Sequence, residues 1–186
     1  MDEARGSAVL QRVLNNVARL DSLVSGALRL ARGKQLPLVD VDVRRPVRAA
    51  AEIVAGAFGS VPARLAIELP DEPVVARADA IAIEQLLANL LFNAAQAVRP
   101  GGSACIRVAR DDGSIIIEVA DDGIGMDEEQ IARIQQPFRS TRANGTGLGL
   151  PIARQIAAAH GGEIVVTSRP GCGTTVRLRL PYRSSA

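Results

Sequence analysis

Leu10, Val13, Val17, Leu20, Val24, Ala27 and Ala31 recur at alternating steps of three and four, a heptad stripe that predicts a long helix with one apolar seam. Leu14, Leu23, Leu28 and Leu30 widen that seam, so the helix is expected to join a bundle, either as a homodimer or with another helix-bearing chain. Past Gly33 and Pro37 the period drops to two over Leu38 to Val43, which predicts a strand; the alanine-rich stretch from Pro46 to Phe58 predicts a helix with proline in its first turn. Short strands are expected at Arg64 to Leu69 and Val74 to Arg77, and Asp79 is placed to cap a helix running to about Val98. Ala104 to Ala109 and Ser114 to Ala120 read as a hairpin turned by Asp111-Asp112-Gly113. Asp127 to Gln130 makes a helix start with a capping box, and Gln136 to Asn144, rich in turn residues, is expected to be a mobile segment. A helix from about Leu148 to His160 and strands at Glu163 to Ser168 and Thr174 to Leu180 complete the pattern. In the last strand Val176, Leu178 and Leu180 face one way and Thr175, Arg177 and Arg179 the other, which predicts a sheet with one wet face. The expected fold is an α/β two-layer sandwich, a mixed sheet with helices on one face, divided into a helical appendage over residues 1–36 and a domain over 37–186.

Composition narrows the chemistry. No apolar run approaches the ~20 residues of a membrane-spanning helix, and Met1 to Ser7 does not read as a signal peptide, so a cytoplasmic location is expected. A net charge of +2, with arginines spread along the chain, argues against nucleic acid as a partner. Phe58, Phe92, Phe138 and Tyr182 are the only aromatic residues and offer no stacking platform. Cys105 and Cys172 form no Cys-x-x-Cys pair and are each expected to be small buried hydrophobes.

Three segments carry the chemistry. On the apolar helix after Asp79, Gln85, Asn89, Asn93 and Gln96 fall at steps of four, four and three and form one polar stripe. Burying carboxamides without partners costs about 1–3 kcal/mol each. Such a stripe therefore faces either other protein amides or a polar ligand, and a metal-bound triphosphate would suit, since an amide oxygen can complete an Mg²⁺ shell without adding negative charge. Asp121-Asp122-Gly123-Ile124-Gly125 stands where a strand ends; a carboxylate there can accept from an exocyclic amine, and glycines admit a flat ring. Gly145-Thr146-Gly147-Leu148-Gly149-Leu150 precedes a helix whose first N–H groups converge on one point and favour an anion. Its spacing is neither that of a Walker P-loop nor that of a Rossmann turn.

In this order the segments resemble the N, G1 and G2 boxes of the ATP-binding domain of sensor histidine kinases, in the superfamily shared with type II topoisomerases, ninety-kilodalton heat-shock chaperones and mismatch-repair ATPases. Pro137 to Arg142 resembles the F box of a short nucleotide lid, Gly171 to Val176 the closing glycine motif, and the seam helix with Leu28 to Arg32 the second helix of a dimerisation and phosphotransfer domain. The resemblance implies ATP and Mg²⁺, with Asn93 as metal ligand, Asn89 supporting the metal and phosphates, and Asp121 selecting adenine with Thr174 behind it. It further implies that Gly123, Gly125 and Met126 line the base pocket, that Gly145, Thr146, Gly147, Leu148, Gly149 and Leu150 hold the phosphates, and that Arg142 or Arg139 reaches the γ-phosphate. The implied activity is transfer of the γ-phosphoryl group to a histidine in two-component signalling, with a response regulator downstream.

The one histidine, His160, stands at a helix end, where the family carries a histidine it does not phosphorylate, and it is expected to be structural. No counterpart of the helix bearing the phosphoacceptor occurs in these residues, so the acceptor is expected on another chain. Asn89 stands where hydrolysing relatives carry a glutamate base, which disfavours an ATPase. The same nucleotide boxes would also serve an ATP-responsive interaction module without transfer, or a serine kinase of the anti-sigma type, although such a small kinase has no need of the heptad helix.

Overall fold

The computed structural model describes residues 37–59, 63–136, 139 and 147–182; the heptad stripe, Arg142, Gly145 and Thr146 lie outside the described residues. In chain order the elements are β1 (Val39–Asp42), α1 (Arg44–Gly59), β2 (Arg64–Glu68), β3 (Val75–Ala78), α2 (Ala80–Ala97), β4 (Ser103–Asp111), β5 (Ser114–Asp121), α3 (Glu128–Ile134), α4 (Gly149–Ala159), β6 (Glu163–Ser168) and β7 (Thr174–Pro181).

Five strands form a mixed sheet in the order β2-β4-β5-β7-β6, parallel only between β2 and β4, while β1 and β3 pair as a separate antiparallel ribbon. The β4–β5 turn comes from Asp112 and Gly113, both at positive φ, the backbone that a two-residue hairpin demands. Val108, Ile117, Leu178 and Ile164 form one row across the helix-covered face and are all buried. On the opposite, wet face Arg107, Glu118 and Arg177 stand opposite one another across β4, β5 and β7.

α2 is central, packing on α1, α4 and β5. The Asp79 carboxylate caps it by accepting from the N–H groups of Ile81 at 3.0 Å and Ala82 at 3.1 Å. Its burial runs nearly round the circumference, from Leu86 and Leu87 to Leu90, Leu91 and Phe92. Asp127 caps α3 with the expected capping box to Gln130.

Two expectations need correction. Cys172 is exposed, in the β6–β7 turn, and Cys105 is half-buried on the wet face, so neither is a core residue. Burial first, and Glu68 nearby, hold the Cys105 thiol above its ordinary value and keep it protonated. The amide stripe is also not uniformly buried: Asn89 is buried, Gln85 and Asn93 half-buried, and Gln96 exposed.

Candidate functional site

The end of β5 stands level with the start of β7, and the antiparallel register pairs Asp121 directly with Thr174 and Val119 with Val176. These residues, with Val166 of β6, Leu90, Ala94 and Ala97 of α2, and Ile124, form a cleft with apolar walls and a polar edge. Such a slot suits a flat, partly polar ring. Among the residues expected to bind, Asn93, Asp121, Gly125, Met126, Gly147, Gly149, Leu150 and Thr174 all line it. Asn89, Gly123 and Leu148 do not line it but adjoin residues that do: Asn89 lies against Gly149, Leu148 is the N-cap residue of α4, and the Gly123 N–H donates to Asp121 Oδ1 at 2.9 Å. Arg139 reaches the cleft from the segment between α3 and α4.

The loop from Asp122 to Met126 is held from three sides. The Asp122 carboxylate accepts from the Ser103 backbone N–H at 2.8 Å and from its hydroxyl at 2.9 Å. Ile124 donates its N–H to the Ala97 carbonyl at the end of α2 and accepts from the Gly171 N–H at 2.7 Å. Gly125 and Gly173 sit at positive φ, where a Cβ would run into the carbonyl groups of Arg169 and Asp121 respectively. Only glycine allows the loop and the β6–β7 turn to close on the strand ends so tightly.

At the other end of the cleft, α4 begins against α2. A Cβ on Gly149 would lie 2.8 Å from both Nδ2 and Oδ1 of Asn89. Asn89 is 6% exposed, and its Oδ1 has no hydrogen-bond partner among the described residues. A buried acceptor without a donor beside a helix start, where N–H groups await an anion, marks a place for a polar ligand. Asn93 lies one turn along α2 in the cleft itself.

His160 is buried and makes two bonds that fix its tautomer. Nδ1 lies 2.7 Å from the Ile156 carbonyl and must donate to it, so Nε2 is the bare nitrogen that accepts from the Asp79 N–H at 3.0 Å. The expected structural role is thus extended: His160 ends α4 and ties it to the N-terminus of α2.

Several contributors are not foreseeable from the boxes. Gln130 and Ile134 of α3 line the cleft, and a capping box gives no hint of which way a short helix lies. Ser168 accepts from the Met126 N–H and donates to the Gly173 carbonyl, both at 2.8 Å, and lies 3.0 Å from the Thr174 hydroxyl. A polar residue ending a strand next to Gly171 to Thr174 is the only sequence signal for it.

Known proteins are similar to this chain in sequence and fold. The chain is 34% identical over 91% of its length to the histidine protein kinase DivJ of Caulobacter vibrioides, and 34% identical over 88% to the sensor histidine kinase ZraS of Klebsiella oxytoca. It spans about a third of those relatives, 28% of the first and 36% of the second. The catalytic domain of histidine kinase ThkA, in a nucleotide-free form, covers 78% of this chain and 95% of its own at 27% identity with a TM-score of 0.71. Full-length ShkA in complex with AMPPNP covers 100% of this chain and 40% of its own at 26% identity, with a TM-score of 0.76. The family described as histidine kinase-, DNA gyrase B- and HSP90-like ATPases matches residues 78–184, more than half of the chain, and with the cleft between α2, β5, β7 and α4 now in view, the chain belongs to that family.

Proposed function

We propose that the cleft binds Mg·ATP and that the chain is the catalytic part of a histidine kinase, donating the γ-phosphoryl group to a histidine on another chain in two-component signalling. The observation that carries this reading is the buried Asn89 oxygen, without a partner among the described residues, packed against the start of α4. The adenine lies in the apolar slot with its amine toward Asp121, and the phosphates lie at the N-terminus of α4.

The amide oxygen of Asn93 would hold Mg²⁺, with Asn89 supporting the metal and phosphates, since an amide brings a ligand atom without the charge that a carboxylate would set against the phosphates. Bound there, it would supply positive charge to offset that of the phosphates. The protein's own part is positioning and electrostatic complementarity: α4 holds the phosphates by N–H groups, and Arg142 or Arg139 brings positive charge to the γ-phosphate. The acceptor nitrogen attacks phosphorus in line, the β–γ bridging bond breaks, and ADP leaves with the electron pair. Residues 1–36 supply a bundle helix that docks on the acceptor-bearing domain or on a second copy of the chain, and a response regulator takes the phosphoryl group downstream.

Incubation with radiolabelled ATP and Mg²⁺, with the chain alone and with a separate histidine-bearing dimerisation domain, tests this reading. Acid-labile label is expected on the added domain and not on the chain, and Asn93→Ala is expected to abolish it. ATP binding without label on any domain tried would favour a nucleotide-responsive interaction module instead.

A further inference from the structure

We infer that Ser168 is a specificity-determining residue that fixes which way the Thr174 hydroxyl points its proton, and thereby makes the base edge of the cleft accept only an amine. The inference deepens the nucleotide reading above and rests on it. A serine hydroxyl has one proton to donate and two lone pairs to accept with. The 2.8 Å contact of Ser168 Oγ with the Gly173 carbonyl uses the proton, because a carbonyl can only accept. The Met126 N–H, also at 2.8 Å, uses one lone pair. Only a lone pair remains for the 3.0 Å contact with Thr174 Oγ1, so Thr174 must be the donor there. Its single proton is then committed to Ser168, and Thr174 presents only lone pairs to the cleft it lines.

Thr174 stands directly across the β5–β7 ladder from Asp121, whose carboxylate is also acceptor-only when ionised. Two acceptors at one edge match the two hydrogens of an exocyclic amine, as at C6 of adenine. The same edge opposes a carbonyl oxygen at that position, as in guanine or hypoxanthine. A site that leaves acceptors facing an acceptor rejects the wrong base far more strongly than an apolar wall does. Ser168 touches no nucleotide in this arrangement; it acts through Thr174, from a strand end that the β6–β7 pairing places beside it.

The test compares binding of ATP and inosine triphosphate, which carries a carbonyl where ATP carries the C6 amine, to the full 186-residue chain and to Ser168→Ala. In the variant the Thr174 hydroxyl is released to turn its proton toward the carbonyl. The preference for ATP is expected to narrow by about tenfold, the scale of one hydrogen bond changed from mismatched to made. Ser168→Thr keeps the hydroxyl and is expected to keep the wild-type ratio. Equal loss of affinity for both nucleotides in Ser168→Ala, with the ratio unchanged, would mean a merely structural residue and would overturn the proposal. Should Ser168→Ala fail to fold, Thr174→Val removes the oriented hydroxyl itself; a narrowed ratio supports the proposal and an unchanged one overturns it. A wild-type chain that bound neither nucleotide would bring down the nucleotide reading first, and the role of Ser168 with it.

Discussion

Glu118 is a carboxylate on the wet face of a sheet, yet it is only 3% exposed, because Arg107 and Arg177 on the flanking strands fold over it. Burial pushes its carboxyl up, but the hydrogen bonds from Arg177 and Arg107 outweigh that and hold it below the ordinary glutamate value. A carboxyl lowered by folding adds stability that is fully present above its unfolded value and is lost as pH falls through the folded one. Glu118→Gln is therefore expected to lower the melting temperature at neutral pH, and the gap to wild type should start to narrow as pH falls below the ordinary glutamate value of about 4.3 and close at lower pH, through the folded value. Thermal unfolding followed across pH reads this directly; a gap that persists in acid would assign the loss to packing. The alternation of Val176, Leu178 and Leu180 with arginines makes the wet face legible in the sequence, but Glu118 can be seen as a buried ion pair only once the register of three strands is known. Cys172 resists reading for a similar reason, since its composition class says hydrophobe and only its place in a turn says surface.

Among the elements, α2 and α4 decide the shape of the site. Gly149 lets α4 begin in contact with Asn89, so Gly149→Ala must displace that amide or the helix. Nucleotide affinity is expected to fall by roughly tenfold to a hundredfold, in keeping with an overpacking cost of about 1–3 kcal/mol, in a chain whose circular dichroism is unchanged. Unchanged affinity would show that the helix start is not held by this contact. The limits of both helices are legible from their caps, with Asp79 starting one and His160 ending the other. Their mutual placement is not, because nothing local says that the Asp79 N–H meets a ring nitrogen 81 residues away. The β4–β5 hairpin is readable from Asp-Gly, whereas the parallel pairing of β2 with β4 and the insertion of β7 between β5 and β6 are long-range choices that no turn encodes.

For the molecule as a whole, the cleft gathers residues from α2, β5, α3, α4, β6 and β7, and the boxes are legible because each needs a chemically unusual cluster: amides on an apolar helix, or glycines at a helix start. What the boxes do not reveal is how rigidly they are joined. α4 is tied to α2 at both of its ends, with Gly149 against Asn89 at its start and His160 bonded to Asp79 at its finish. His160→Ala cuts the far joint alone and is expected to lower the unfolding temperature; magnetic resonance or mass spectrometry should find the Asp79 amide exchanging its proton faster with solvent. An exchange rate unchanged in that variant would show that the joint does not hold. A main-chain proton given to an imidazole nitrogen is also a reporter in its own right. It lies at the opposite end of both helices from the site proposed for the nucleotide, so a slowing of its exchange in the wild-type chain on addition of ATP would report a firmer seating of α4 from a vantage point outside that site.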